Sequence, residues 1–145
     1  SEARFAIVAA DFYEDLAARL IAGARAELSE AGAGSEAVVE FRVPGAFELP
    51  LAALQAAKAG FDAVVCVGAV IRGETDHYDW VCAEAARGIM QVGLDTGVPC
   101  GFGVLTVDNL DQAIARSGGD KRDSGRHAAA AVLAQLAIAS ELAGS

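Results

Sequence analysis

Positive charge is scarce in this chain of 145 residues: 11 Lys and Arg stand against 20 Asp and Glu, for a net charge of −9. Nucleic acid and anionic membrane surfaces repel such a chain, so neither is expected as a partner. A phosphate can still be held where donors concentrate at one point. Long apolar runs are also missing. The longest strand-like stretch, Ala63–Ile71, is far too short to cross a bilayer. The opening SEARFAIVAADF has neither the basic end nor the long apolar core of a signal peptide, which predicts a cytoplasmic protein. Cysteine is limited to Cys66, Cys82 and Cys100. An odd number at irregular spacing is neither a disulfide framework nor a zinc knuckle, so reduced, buried thiols are expected. Only His77 and His127 can add imidazole, and no metal site is expected. No G-x-G-x-x-G follows the first apolar run and no Walker lysine loop appears, which disfavours dinucleotides and nucleoside triphosphates. A G-x-S-x-G elbow is absent as well.

What is present is apolar: 54% of the residues are hydrophobic and 21% charged, which excludes disorder. The length suits one domain, residues 1–145, burying about 70% of its unfolded surface. The apolar share is high for a lone small domain, and a subunit interface would absorb the excess, so an oligomer is expected.

Strand and helix signals alternate from end to end. Residues 4–10 read as a first strand. Asp11 is expected to cap the next helix, with Glu14 completing a capping box. Leu16, Leu20, Ala24 and Leu28 give that helix one apolar face. A second strand over residues 37–43 is closed by Pro44-Gly45 and followed by a helix over 46–59. Residues 61–71 are apolar on both faces and hence central. A helix over 78–95 leads through Gly97-Val98-Pro99 to a fourth strand, Cys100–Val107. Asp108 is expected to cap a short helical piece over 109–116. A polar loop, SGGDKRDSG, precedes a final helix over 126–142, packed through Val132, Leu133, Leu136 and Ala137. Four strands alternating with helices imply a parallel sheet covered on both faces. Ligands bind such sheets at the strands' carboxyl ends, where the strand order reverses.

That rule directs attention to a few residues. In VIRGETDHYDW, Gly73, Glu74 and Thr75 precede a helix start, where free N–H groups and the helix dipole suit an anion. The same residues could form an ordinary helix cap. His77 stands beside that turn and titrates near neutrality, so it can accept and return a proton within one turnover. In PGAFELP, Gly45 permits close approach of a ligand to the backbone. Phe47 either lines a pocket or packs in the core, and Glu48 either binds ligand hydroxyls or complements the helix N-terminus. Phe12 either stacks on a planar heterocycle or staples its own helix. Arg116, ahead of the polar loop, suits a phosphate by its forked donors or merely offsets a helix dipole. Lys121, Arg122 and Arg126 read as solvated, interleaved with Asp120 and Asp123, and His127 as solvent-facing.

The strings VPGAFELPLAA, GAVIRGETDHYDWVCAEAARGI and GVPCGFGVLTVDNLDQAIARSG fall in order over nearly the whole chain, with Phe12 ahead of them. Together they resemble the 6,7-dimethyl-8-ribityllumazine synthase family of riboflavin biosynthesis. The resemblance implies a flavodoxin-like three-layer α/β/α sandwich with a four-stranded parallel sheet. It also implies a homopentamer, or a larger shell of pentamers, with active sites between subunits. Its reaction condenses 5-amino-6-(D-ribitylamino)uracil with 3,4-dihydroxy-2-butanone 4-phosphate and uses no metal or organic cofactor. On the family's pattern Phe12 stacks on the pyrimidine, and Ala46, Phe47 and Glu48 hold the ribityl-bearing substrate. Ala69, Val70 and Ile71 contact the pyrimidine, and Phe102 matches a pocket ring donated across the subunit boundary. Glu74 and Thr75 match the phosphate-binding turn, Arg116 its arginine partner and His77 the proton-transfer group. The chain departs from the pattern at Asp11, where many members carry arginine, and in the loop GGDKRDSG, where Ser124 replaces a common lysine. Two other readings share these features: a pentamer that sequesters a flavin or lumazine, and a monomeric flavin-binding or regulatory doubly wound domain.

Overall fold

A computed structural model describes residues 2–73, 76–118 and 122–144. Four strands, β1 (Phe5–Ala10), β2 (Val38–Val43), β3 (Ala63–Ile71) and β4 (Cys100–Val107), pair in parallel in the order β2-β1-β3-β4. The helices are α1 (Glu14–Glu30), α2 (Leu49–Lys58), α3 (His77–Thr96), α4 (Leu110–Ala115) and α5 (Ser124–Gly144). This is the flavodoxin-like arrangement expected from the resemblance, in which the order reverses between β1 and β3.

Alternation along the two central strands builds a core on each face. Phe5, Ile7 and Ala9 of β1 and Ala63, Val65 and Val67 of β3 pack with Leu16, Leu20, Ala24 and Leu28 of α1 and Ala128, Ala129 and Val132 of α5. Ala6, Val8 and Ala10, with Val64 and Cys66, pack with Leu49 and Ala53 of α2 and Val81, Ala85 and Ile89 of α3. Burial on both faces explains why these strands read as unbroken apolar runs. The layers approach closely where side chains are missing. A Cβ on Gly125 of α5 would lie 2.1 Å from the Leu20 carbonyl oxygen of α1. One on Gly88 of α3 would lie 2.7 Å from Pro50 of α2.

All three cysteines are free, as expected; Cys66 is buried, and Cys82 and Cys100 are half-buried. Burial pushes the Cys100 thiol up to about 11 and pushes Cys66 up as well. Both are therefore protonated thiols at neutral pH.

Several local expectations need correction. Asp11 does not cap α1. Its N–H donates to the Val43 carbonyl at 3.0 Å, prolonging the β1–β2 ladder, and α1 begins later, at Glu14, with no side-chain cap. Residues 46–48 form a 3₁₀ turn ahead of α2 rather than its first turn. Asn109, not Asp108, caps α4, its side chain accepting from the Gln112 N–H at 2.9 Å. Asp108 is instead occupied by Arg72. In α5 the packed face is Gly125, Ala128, Ala129 and Val132, with Leu133 and Leu136 at its edge; Ala137 is exposed because the helix runs on past the sheet. By length and composition alone α5 would suffice to cross a membrane, but its first half packs on the sheet and on α1. Arg126 is not simply solvated. It bridges α5 to α1 through Glu27 at 3.1 Å and Glu30 at 2.9 Å, and holds the Glu30 carboxyl below its ordinary value by hydrogen bond and charge. Asp123 accepts from the Arg126 N–H at the start of α5. His127 is exposed, as expected.

Because the Gly125 contact is with backbone that cannot swing aside, Gly125→Ala should destabilise the fold by about 1–3 kcal/mol. Urea unfolding is expected to show a lowered midpoint at unchanged slope; an unaltered midpoint would mean that α1 and α5 are not locked at this crossing.

Candidate active site at the carboxyl ends of β1 and β3

Where the strand order reverses, the chain leaving β1 turns toward one face and the chain leaving β3 toward the other. A cleft of about 670 Å³ opens between them, lined by Phe12 and Tyr13, by Gly45 to Glu48, by Ala69 to Ile71, and by His77, Trp80 and Val81. Three segments distant in sequence therefore meet on one concavity. Phe12 and Phe47 are 74% and 62% exposed, so neither is a core ring, although Phe12 stacks edge-on against Tyr13 at 4.9 Å between centroids. Exposed rings facing an apolar cleft are placed to stack on a planar ligand. Ala46, which also lines the cleft, is buried. One Glu48 oxygen accepts from the Gly45 N–H at 2.9 Å, which closes the turn and fixes the carboxylate at the cleft rim.

His77 is the first residue of α3, is exposed and lines the cleft. Arg72, just past β3, braces the start of α3. Its N–H donates to the Val107 carbonyl at 2.8 Å, and its Nε donates to Asp108 Oδ1 at 2.9 Å. The guanidinium lies 4.3 Å from the Tyr78 ring centroid and 3.7 Å from Asp79 Oδ1. A single cation thus ties the first turn of α3 to the end of β4, with His77 adjacent. Burial raises the Tyr78 phenol above its ordinary value, with Cys82 beside it adding to the rise, so it stays a neutral hydroxyl at physiological pH.

The cleft gathers Phe12, Ala46, Phe47, Glu48, Ala69, Val70, Ile71 and His77 from the residues singled out in the sequence. Two others lie elsewhere on the chain. Phe102 is on β4 and lines a groove with Met90, Leu94, Pro99 and Gln135. Arg116 closes α4 and lines a depression with Asp108, Gln112 and Ser124. Glu74 and Thr75 lie outside the described residues. Tyr13 and Trp80 line the cleft without having been singled out. The signal for Trp80 was its spacing: three residues beyond His77 on a helix is the same face.

The model of the 6,7-dimethyl-8-ribityllumazine synthase family matches residues 2–140. The chain belongs to this family. Among lumazine synthases it is 52% identical to that of Kineococcus radiotolerans over 90% of this chain and 81% of that protein. It is 46% identical to the Salinibacter ruber synthase over 97% of this chain and 91% of the other. For the Nitratidesulfovibrio vulgaris synthase the identity is 46%, over 96% of this chain and 90% of that protein.

Trp80 is the one tryptophan of the chain, and it faces the cleft. Titration with a flavin- or pteridine-type ring should therefore quench its emission. Phe12→Ala should weaken that binding by about 1 kcal/mol through lost stacking. Calorimetric binding with no change in emission would put the ligand elsewhere.

Proposed function

We propose that the protein condenses 5-amino-6-(D-ribitylamino)uracil with 3,4-dihydroxy-2-butanone 4-phosphate to 6,7-dimethyl-8-ribityllumazine, the penultimate step of riboflavin biosynthesis. The observation carrying this reading is the meeting of Phe12, Phe47, Glu48, the end of β3 and His77 on one cleft. The pyrimidine stacks on Phe12 against Ala69, Val70 and Ile71, its ribityl chain runs over residues 46–48, and Glu48 accepts from the chain's hydroxyls. Glu74, Thr75 and Arg116 take the phosphate.

The uracil's amine attacks the ketone, and loss of water gives an imine. A proton then leaves carbon as the carbon–oxygen bond to phosphate breaks, and ring closure by the ribityl-bearing nitrogen expels a second water. His77, exposed at the cleft, carries protons between these steps, a role worth about 10²- to 10⁴-fold in rate. Holding both substrates in one cleft supplies much of the remainder. No metal or organic cofactor enters this scheme.

Arg116 and Phe102 line surfaces outside the cleft, so the reading requires a second copy to deliver them. We place the working unit as a homopentamer in which each cleft is completed by its neighbour. Exposed Met90, Leu94 and Phe102, which share one apolar groove, are suited to that contact. The free cysteines fit the reducing cytoplasm, and the whole chain acts as a single domain.

His77→Ala should lower kcat by about 10²-fold or more with little change in KM. Arg116→Ala should raise KM for the phosphorylated ketone. Refolding the two variants as a mixture tests the shared site, since mixed pentamers contain some clefts with both groups intact. Recovery of activity above either variant alone is expected. A mixture no more active than its parts, with the mixed pentamer shown to form, removes the shared site.

A further inference from the structure

Ser117, the residue after Arg116, is the one fully buried polar residue among those described. A buried hydroxyl must find partners, and this one has two. Its Oγ accepts from Arg19 Nε at 2.9 Å and donates to the Ile114 carbonyl at 3.1 Å. Arg19 Nη2 donates to the same carbonyl at 3.1 Å, and the Ser117 N–H approaches it at 3.3 Å. One guanidinium, reaching across from α1, thus shares this end carbonyl of α4 with the Ser117 N–H and pins Ser117, two residues past the helix.

The far side of Arg116 is held as well. Its N–H donates to the Ala113 carbonyl at 3.2 Å, and its own carbonyl accepts from the Ser124 N–H at 3.0 Å. Ser117 pairs with Asp123 in an isolated antiparallel bridge, and Gly118, at φ +147°, turns the chain where a side chain would be strained. Arg116 therefore sits on a peptide fixed from both directions, its side chain lining the depression with Asp108 and Gln112. Arg19 lies on the other side, in a hollow with Gly23, Ser117 and Arg126, and is not among the residues lining either the cleft or the Arg116 depression.

We propose that Arg19 is a positioning residue for phosphate capture: acting through Ser117 and the Ile114 carbonyl, it sets the direction in which Arg116 presents its guanidinium. The inference rests on the reading of Arg116 as the phosphate ligand. A forked donor is required, because two acceptors at different positions are engaged at once; a lysine ammonium on a flexible stem serves both less well. Arg19 orders Arg116, and only the latter meets the ligand.

The test uses the intact protein, with inorganic phosphate as a competitive probe against the phosphorylated ketone. Arg116→Ala establishes the parent reading by raising the inhibition constant of phosphate. Arg19→Met, which keeps the stem and removes the donors, should raise that constant about tenfold, the effect of losing one oriented charge-assisted contact. The KM for the pyrimidine should not move, and Arg19→Lys should restore part of the loss. A lowered melting temperature with an unchanged phosphate constant would overturn the proposal and leave Arg19 purely structural. If Arg116→Ala itself leaves the constant unchanged, the phosphate role of Arg116 fails and the inference fails with it. Should Arg19→Met not fold, Ser117→Ala removes the hydroxyl half of the link while leaving α1 and the Arg19–Ile114 contact intact; it must raise the constant in the same direction, by less than Arg19→Met is expected to, or the proposal falls.

Discussion

The parallel pairing of β1 with β3 is the constraint on which the rest of the molecule depends. From β1 the chain crosses through α1 to β2 on one side, then returns through α2 to β3 on the other. Right-handed crossovers in opposite directions put α1 and α2 on opposite faces, as the two core clusters record. The loops that leave β1 and β3 must then part, and the space between them is the cleft. The strands themselves stay close: a Cβ on Gly68 of β3 would come within 2.8 Å of the Ala10 Cβ on β1. Glycine at that point lets the two strand ends approach closely just before the residues that line the cleft.

On this frame the chain spends its few cations as fasteners between elements. Arg25 pairs with Glu40 to join α1 to β2, and Arg126 joins α5 to α1. Arg72 joins the end of β4 to the start of α3, and Arg19 joins α1 to the end of α4. All are at least partly exposed, and pairs of that kind contribute little to stability one by one. Their effect is on direction. Two of them end within a residue of a group that the proposed chemistry uses, Arg72 beside Tyr78 and Arg19 on Ser117.

The sheet was legible in the sequence because its central strands β1 and β3 are buried on both faces and α1 carries a clean four-residue repeat. Boundaries were less legible where polar side chains compete. Asp11, Asp108 and Asn109 all have capping chemistry, and only tertiary contacts decide among them: Asp11 prolongs a ladder and Asp108 is drawn to Arg72. The arginines were the least legible. Arg126 sits in a run of mixed charge that reads as solvated, while its partners Glu27 and Glu30 lie almost a hundred residues earlier. Arg19 and Ser117 are likewise far apart in sequence and bear no motif. The cleft residues were legible because each ends or follows a strand, whereas Phe102 and Arg116 line surfaces apart from that cleft. No sequence pattern states which surface of one chain faces another.

The position of α5 has a further meaning for how the protein comes into being. In chain order α5 emerges from the ribosome after all four strands and α1. Until it does, the surface later covered by Ala128, Ala129 and Val132 stays open. A nascent chain can pair its four strands and dock α1, yet still present a bare hydrophobic strip along β3 and β4. Such a strip is prone to self-association until α5 docks on it. The glycines at this crossing, Gly101, Gly103 and Gly125, leave a smooth track with no side chain to obstruct a helix that arrives late.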